Sequence, residues 1–380
     1  MIIEHFIKWI ETARVAERAA AANALARAYI VSDLDFEDRC AAEAALTLLL
    51  DDPSPKVRLA MAEPLSLSLR APQQIITALA GDQPEVAAPV LALSPVLTDN
   101  DLIDFAAGGS EAAQTLIASR AQVSMSLSAA IAEVAAAPAC VALMKNSGAE
   151  IASISFRRMA ERLGHDAGLR EALISDRRLP SDIRHMLLFK LGEALRESPL
   201  VRALMTSARA ERMMREACVR ASLTLIERTA QDEHAALVEH LRMRGELTTA
   251  FLVRVVAYGR IDFFGAALVS LAGQQQGRVR ALLSGGRDVA LSSLFRAARL
   301  PLVSHGVILR ALKVWREVAN GKRIAGPQEV SFLMLRVLEE AVSSGAVTDE
   351  KGALAGLLKS IHLEALRENA RGHALAIAAA

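Results

Sequence analysis

Apolar residues recur along almost the whole chain at spacings of three and four, and strand-like alternation is almost absent. The clearest segment begins at Ser181, directly after Pro180, and carries one continuous apolar stripe. The stripe consists of Ile183, Leu187, Leu191 and Leu195. We therefore predict a helix over Ser181–Arg196, and the same spacing predicts helices over Ile151–Leu163 and Glu211–Arg228. In the last of these, one face carries Met214, Cys218, Ala221 and Leu225.

Short turn signals interrupt this helical pattern in the first half of the chain. Each contains Gly, Pro, Asp, Asn or Ser, and each is followed by a charged residue and then a small or apolar one. The breaks are Asp51–Pro55, Gly81–Pro84, Gly108–Ser110, Asn146–Gly148 and Leu179–Ser181. The small or apolar residues after the breaks, at positions 57, 86, 112, 151 and 183, recur every 26 to 39 residues, which is the range of helical-repeat proteins. One short helix pair cannot bury its own apolar face, so such pairs stack on their neighbours.

One of these breaks carries a motif. The segment Asp52–Ala62, with Asp52 and Pro53 in the turn and Val57-Arg58 in the helix, resembles the inter-helix turn and second helix of a HEAT repeat. Asp82–Ala87 resembles it without the arginine, and Arg177–Arg184 resembles it with Ile183 in place of valine. The resemblance implies an all-α fold, a right-handed α-α superhelix (a HEAT-like solenoid) with a helical C-terminal region. It also implies that Arg58 pairs with an aspartate of a neighbouring turn rather than with a partner.

A second resemblance covers most of residues 1–320. It rests on Phe36–Arg39 through Pro64-Leu65 and on several C-terminal segments. These segments are Leu252–Arg254, Gly259–Phe264, Val279–Leu283 and Ala298–Pro301. Together they are similar to an uncharacterised alphaproteobacterial family with HEAT-like repeats. The resemblance implies a bacterial cytoplasmic protein and transfers no catalytic residue.

The turn chemistry changes near residue 231, where the turns become centred on glycine. The glycines are Gly245, Gly259, Gly273, Gly285-Gly286 and Gly321. We therefore predict HEAT-like helical repeats over residues 1–230 and, over residues 231–380, a C-terminal helical region that continues or caps the stack. A loop is predicted over Asn320–Gly326, followed by a helix over Pro327–Ser344.

Composition agrees with helices, because 52% of the residues are apolar and only 4% are aromatic. The net charge is +1, but residues 1–150 carry a net −9 and residues 151–380 a net +10. This asymmetry could orient a partner or favour self-association, and it could also be a drift of solvated surface charge. The cysteines Cys40, Cys140 and Cys218 are scattered in apolar surroundings, which predicts reduced, buried thiols.

Neither a targeting segment nor a membrane span is predicted. The first ten residues include Glu4, His5 and Lys8, and they lack the apolar core of a signal peptide. The longest apolar stretch, Val134–Met144, has 11 residues, whereas about 20 are needed to cross a bilayer. We therefore expect a cytoplasmic protein without membrane contact.

Motifs that carry chemistry are missing from the sequence. It contains no phosphate-binding loop and no Gly-x-Ser-x-Gly. His234 and His240 stand six residues apart, which places them on different helix faces and not together on one metal ion. We predict a protein with no cofactor, no metal site and no catalytic residues. A triad assembled from distant residues stays open, because one sequence does not reveal spatial neighbours.

Arginine is the most informative residue type, with 36 arginines against 8 lysines. Residues 157–220 contain 14 basic and 9 acidic residues. Several of these arginines could form a partner-binding stripe, because guanidinium groups bind carboxylate or phosphate at two points. The stripe consists of Arg157, Arg158, Arg162, Arg177, Arg178, Arg184, Arg202, Arg209, Arg212, Arg215 and Arg220. Of these, Arg157, Arg158, Arg177, Arg178 and Arg184 are the candidate partner-binding residues. Alternatively, the arginine stems cover apolar helix surface and the guanidinium groups pair with nearby acids.

Two functions fit this sequence. The first is a non-enzymatic scaffold or regulatory adaptor that binds a protein partner on a solenoid surface. The second is a nucleic-acid binder of the HEAT-like DNA repair type that uses the Arg-rich stripe in residues 157–220. Such an enzyme needs a strongly basic face and aromatic residues near the lesion, and this chain has two tryptophans and a net charge near zero. Self-association through the charge asymmetry is a further expectation.

Overall fold

The computed structural model describes Trp9, residues 12–343 and residues 349–379. The first ten residues, which were tested for a targeting segment, lie outside the described residues apart from Trp9. Over the described part, the chain forms 22 α-helices, one 3-10 turn and a single isolated parallel bridge between Val123 and Ala149. The fold class is therefore all-α, as the spacing of apolar residues predicted.

The chain divides into two compact units, Met1–Leu179 and Pro180–Ala380. Residue 230, where the turn chemistry changes, lies inside the second unit. The helices of the first unit are α1 (Val15–Val31), α2 (Phe36–Leu50), α3 (Pro55–Leu65), α4 (Gln73–Ala80), α5 (Pro84–Leu93), α6 (Asp99–Gly108), α7 (Glu111–Ala118), α8 (Met125–Val134), α9 (Ala137–Lys145), α10 (Ser153–Leu163) and α11 (Ala167–Ser175).

The second unit begins with a helix pair and ends with two long helices. Its helices are α12 (Ser181–Glu197), α13 (Pro199–Leu204), α14 (Ser207–Arg228), α15 (His234–Met243), α16 (Thr249–Ala257), α17 (Ile261–Ala272), α18 (Gln276–Gly285), α19 (Asp288–Ala297), α20 (Leu302–Ala319), α21 (Pro327–Ser343) and α22 (Asp349–Ala379). The 3-10 turn Gln231–Glu233 precedes α15.

Helices of the first unit alternate between two layers. In one layer α1 packs on α3, α3 on α5, α5 on α7, α7 on α9 and α9 on α11. In the other, α2 packs on α4, α6 on α8 and α8 on α10. The helices are short because the predicted breaks end them: all five turn segments lie at helix junctions. Each helix buries a few apolar residues against its neighbours, so the core of this unit is shared along the row.

The second unit is organised around α16. Its apolar residues surround the whole helix, and a helix that is apolar on all sides is buried. The buried residues are Phe251, Leu252, Val253, Val255, Val256 and Ala257. This helix packs on α17, α20, α21 and α22. The predicted helices at Ser181, Glu211 and Pro327 are present within a few residues of their predicted bounds, and no helix interrupts Asn320–Gly326.

The glycine-centred turns have a backbone reason at four positions. Gly245, Gly259, Gly273 and Gly321 all have φ between 61° and 75°, which side chains disfavour. Gly259 has a second constraint, because a Cβ there would lie 3.0 Å from Cζ2 of Trp315. Trp315 can approach this closely only because the turn has no side chain.

The prediction for the cysteines is wrong at one position. Cys140 and Cys218 are buried, and burial raises the pKa of Cys140 to about 11. Cys40 is exposed instead. It lies in the N-terminal half of α2, whereas that helix buries only Ala45, Leu46 and Leu49 near its C-terminal end. None of the described helices is both long and apolar enough to cross a bilayer.

Candidate functional site

Four of the five arginines predicted to bind a partner make contacts within the chain. In the first unit, Arg158 on α10 pairs at two points with Glu133 on α8, at 2.5 Å and 2.7 Å. Arg178 pairs with Asp176 at 2.8 Å, and its guanidinium lies 5.8 Å from the centre of the Phe156 ring. Arg157 in this unit, and Arg184 in the second, also take part in interactions. Arg177 is exposed. Arg158 and Arg178 thus show the contacts of the alternative interpretation, pairing with nearby acids.

The residues of the HEAT-like turn are structural neighbours. Asp52 is buried and accepts hydrogen bonds from Arg18 Nε at 2.7 Å and Nη2 at 3.1 Å. Arg58 donates to both carboxylate oxygens of Asp82 in the next turn, at 2.5 Å and 2.9 Å. These hydrogen bonds hold the pKa of Asp82 below its usual value. Val57 is fully buried, and Pro53 is exposed in the turn. An arginine–aspartate ladder therefore connects successive turns of α1 to α5.

Other arginines bind the carbonyl groups at the ends of neighbouring helices. Arg120 donates to the carbonyls of Leu91 and Ser94 at the end of α5, at 2.7 Å and 2.6 Å. Arg162 makes the same kind of contact with Ala132 and Ala135 at the end of α8. The last carbonyls of a helix have no partner within the helix, and a guanidinium fork can satisfy two of them at once. This use accounts for part of the excess of arginine over lysine.

A buried histidine in the second unit forms the closest approach to a catalytic constellation. His185 Nε2 lies 2.9 Å from Ser222 Oγ and 3.7 Å from Glu246 Oε2. The Ser222 hydroxyl donates its proton to the Cys218 carbonyl at 2.8 Å, so His185 Nε2 must donate to Ser222 rather than accept. Serine, histidine and acid therefore meet without the general-base geometry of a triad, in which the acid holds the other ring nitrogen.

The electrostatics of this cluster also oppose base catalysis. Burial, assisted by His240 and Arg244, lowers the pKa of His185 to about 3. The imidazole is 0% exposed and packs on Phe189 and His240. His234 packs elsewhere, on Phe263. Within the described residues, no group of three His, Cys, Asp or Glu side chains is arranged to hold a metal ion.

An exposed apolar groove of the second unit lies between α12 and α14, and we call it the Met groove. Its volume is about 370 Å³. The connecting segment with α13 contributes Val201 and Met205. The groove is lined by Leu188, Leu191, Gly192, Leu195, Arg196, Val201, Met205, Ala210, Met213, Met214, Ala217, Cys218 and Ala221. Every lining residue except Arg196 is apolar or glycine.

Two sequence-predicted stripes form the groove. On α12, Ile183 and Leu187 are buried in the unit, whereas Leu195 further along the same stripe is 57% exposed. On α14, Met214, Cys218 and Ala221 line the groove, and Leu225 is buried. Gly192 forms the floor, because a Cβ there would lie 3.1 Å from Cys218 Sγ and 3.2 Å from Met214 Cγ. The absence of a side chain at Gly192 allows Met214 and Cys218 of α14 to approach α12 this closely.

Large apolar side chains around the groove remain in contact with solvent. Leu200 and Leu204 on α13 are 68% and 71% exposed, and Met213 on α14 is 50% exposed. No residue of α13 is buried. An exposed apolar surface of this kind marks an interaction site when its members lie together. Methionine adapts to differently shaped partners because its side chain is unbranched and polarizable.

The Met groove lies in a basic segment of the chain, and Arg196 is one of its lining residues. Residues 195–215 contain five arginines and two glutamates. Arg196 and Arg215 form ion pairs with Glu197 and Glu211. The other three, Arg202, Arg209 and Arg212, are exposed, and their guanidinium groups form no hydrogen bond or ion pair with any described residue.

Sequence reasoning missed the groove although it predicted both helices. The length of the apolar stripe on Ser181–Arg196 was the available signal. The unit buries only the first part of this stripe, and the remaining apolar residues are half-buried or exposed. The predicted arginine stripe included Arg202, Arg209 and Arg212, but the candidate binding residues were chosen from Arg157 to Arg184, where Arg158 and Arg178 pair with carboxylates. Distinguishing the two groups requires knowing which acids lie nearby in space.

Comparison with protein families identifies an uncharacterised bacterial family. A family model described as an uncharacterised protein conserved in bacteria (DUF2336) matches residues 86–347, which is more than half of the chain and includes the Met groove. No curated protein and no solved structure matches the chain.

Proposed function

Since the chain belongs to this uncharacterised bacterial family, we propose from its own geometry that it is a non-enzymatic protein-binding scaffold or adaptor. The partner element is an acidic amphipathic helix that docks in the Met groove. The observation that carries the proposal is the groove itself. The apolar stripes of α12 and α14 are buried in part, and the rest of each stripe lines the groove with side chains that contact solvent.

The groove has the dimensions of a helix site. Leu188 and Leu195 are seven residues apart, about 10 Å along the axis of α12. A bound helix covers this distance with apolar residues at positions i, i+4 and i+7, which is the usual pattern of anchors in helix-in-groove recognition. Met205, Met213 and Met214 can adjust to the shape of such anchors.

The positive charge of this part of the chain favours a negatively charged partner. Arg202, Arg209 and Arg212 lie in the net-positive segment 195–215, and they are available for carboxylates. The whole second unit is also basic, with 28 Lys and Arg against 20 Asp and Glu. An acidic partner would associate faster and bind in a preferred orientation on such a surface.

The architecture fits the scaffold role. We propose that the two layers of the first unit are a HEAT-like stack and that the chain extends such a solenoid, as the resemblance to HEAT repeats and to an alphaproteobacterial family implies. The Arg58–Asp82 contact between successive turns supports this assignment. We place the protein in the bacterial cytoplasm on the same grounds.

Nucleic-acid binding is less well supported by the geometry. The hypothesis needs a row of accessible guanidinium groups between residues 157 and 220. Two of the five predicted residues, Arg158 and Arg178, already pair with carboxylates. We therefore treat nucleic-acid binding as an outcome that the experiment can reveal.

The test is a titration of the full chain against a fluorescein-labelled helical peptide, followed by fluorescence anisotropy. The peptide carries leucines at i, i+4 and i+7 and glutamates on the remaining positions. We expect a dissociation constant on the order of 10 µM at low salt. A peptide with lysine in place of glutamate should bind at least about tenfold more weakly, because the net-positive second unit repels it.

Variants locate the site. Met213→Glu places a carboxylate on the groove wall and should weaken binding of the acidic peptide about tenfold or more. The matched control is Met243→Glu on α15, since Met243 is 73% exposed and lies outside the groove lining. Equal effects of both variants, or tighter binding of a DNA duplex with a steep salt dependence, would contradict the proposal. If M213E changes the oligomeric state, the occupant is a second copy of the chain and the peptide proposal is wrong.

A further inference from the structure

A cavity of about 300 Å³ lies in the second unit, among α17, α18, α20 and the 3-10 turn. None of its lining residues belongs to the Met groove. Its apolar walls come from Ile261, Val269, Val279, Leu312 and Trp315. Val279 and Leu312 are 1% exposed, so the inner end of the cavity is part of the core. Pockets of this size and composition hold small molecules.

Fixed side chains define the cavity. Trp315 donates from Nε1 to the carbonyl of Val256 at 2.8 Å, and its ring lies against the glycine turn at Gly259. Arg316 donates to the carbonyls of Leu282, Leu283 and Gly286 at the end of α18. With its guanidinium held by three carbonyls, Arg316 forms a wall rather than a binding group. A preformed wall of this kind reduces the ordering cost of ligand binding.

A buried polar atom of the lining lacks a partner. Nε2 of His234 is buried and has no hydrogen-bond partner among the described residues, and the His234 side chain lines the cavity. A buried polar atom without a partner costs free energy, so such an atom beside a cavity indicates a place for a ligand or solvent. This observation is independent of the apolar walls.

The charged groups around the cavity differ in their availability. Asp262 accepts a hydrogen bond from Gln231 Nε2 at 2.8 Å. Arg280 on α18 is exposed, and its guanidinium group forms no hydrogen bond or ion pair with any described residue. With Arg316 counted, the lining carries two guanidinium groups and one carboxylate, which favours an anionic ligand.

We propose that this cavity is a binding site for a small amphipathic aromatic anion. The aromatic body lies against Trp315 and the apolar walls, its anionic group pairs with Arg280, and a polar substituent reaches His234 Nε2. The site is independent of the Met groove and of the proposed scaffold function, so either can fail without the other.

The experiment uses two probes that differ by one charged group, 8-anilinonaphthalene-1-sulfonate and N-phenyl-1-naphthylamine. The chain has two tryptophans, so a Trp9→Phe background leaves Trp315 as the only one. Probe binding is followed by quenching of Trp315 fluorescence. We expect saturable quenching by the sulfonate probe with a dissociation constant on the order of 10 µM, and about tenfold weaker binding of the neutral probe.

Two variants separate this site from general apolar binding. Arg280→Gln changes an exposed residue and should abolish the preference for the sulfonate probe. Ala266→Phe fills the cavity and should weaken both probes about tenfold or more, while the exposed control Ala236→Phe should change neither. Thermal unfolding verifies that A266F is folded. Equal binding of the two probes in the parent, or a preference that survives R280Q, would overturn the proposal.

Discussion

Several side chains in this chain contact partners that lie 24 or more positions away in the sequence, and these distant partners define their roles. Arg58 was identified from its motif, and its expected aspartate partner is Asp82. Arg120 and Arg162 could not be assigned in the same way, because their partners are backbone carbonyls, which every residue has. The same holds for His185: nothing in its local sequence indicates that Ser222 and Glu246 lie beside it.

His185 gives a prediction for the pH dependence of stability. Its pKa falls from 6.5 to about 3 on folding, so between these values the unfolded chain binds a proton that the folded chain does not. The neutral His185 therefore contributes fully to the free energy of unfolding above pH 6.5, and this contribution is lost as the pH falls toward 3. Each pH unit inside this window costs about 1.4 kcal/mol. Protonation places a second positive charge near Arg244 in a buried site.

The measurement is urea unfolding followed by circular dichroism at several pH values between about 5 and 7. His185→Gln keeps a hydrogen-bonding nitrogen near Ser222 without a titrating ring, so the free energy of unfolding should fall less steeply with acid than in the parent. His165→Gln, at an exposed position, is the control and should leave the slope unchanged. An H185Q slope equal to that of the parent would show that His185 does not titrate in this window.

Elements were more predictable than residues because helix formation follows local periodicity. The breaks at Asp51–Pro55 and Gly81–Pro84 lie between α2 and α3 and between α4 and α5. The exposure of Leu195 was not predictable, since the same spacing of leucines occurs in the buried core and in the exposed Met groove. Only the packing of neighbouring helices distinguishes these two uses of an apolar stripe.

Contacts at helix ends give the prediction at this scale. Arg120→Met removes the donors that satisfy the carbonyls of Leu91 and Ser94 at the end of α5. We expect a loss of about 2–4 kcal/mol in the free energy of unfolding, because the carbonyls lose partners in a partly buried place. Arg120→Lys should restore little, since one ammonium group does not reproduce the two-point fork.

The control for this prediction is Arg177→Met. Arg177 is exposed, so its removal should change stability by less than about 0.5 kcal/mol. Chemical unfolding of the three variants beside the parent supplies the comparison. A loss in R120M no larger than that in R177M would mean that the helix-end contact contributes nothing measurable.

At the scale of the whole molecule, the two units differ in charge and in what they expose. The first unit carries 16 Lys and Arg against 23 Asp and Glu, and the second unit, which contains the Met groove, has the opposite balance. The charge asymmetry follows from the sequence alone, whereas the Met groove is formed only by the packing of α12 on α14. The boundary predicted at residue 230 was based on a change in the turn residues. The two compact units are defined instead by contacts between residues that are distant in the sequence, and a sequence pattern does not reveal these contacts.

Hydrogen–deuterium exchange of the full chain, with and without the acidic helical peptide, tests the central claim most directly. Binding in the Met groove should slow exchange of amides in residues 188–221, while amides of α7 and α9 in the first unit should exchange at unchanged rates. Protection confined to the first unit, or no protection at peptide concentrations about tenfold above the expected dissociation constant, would contradict the account.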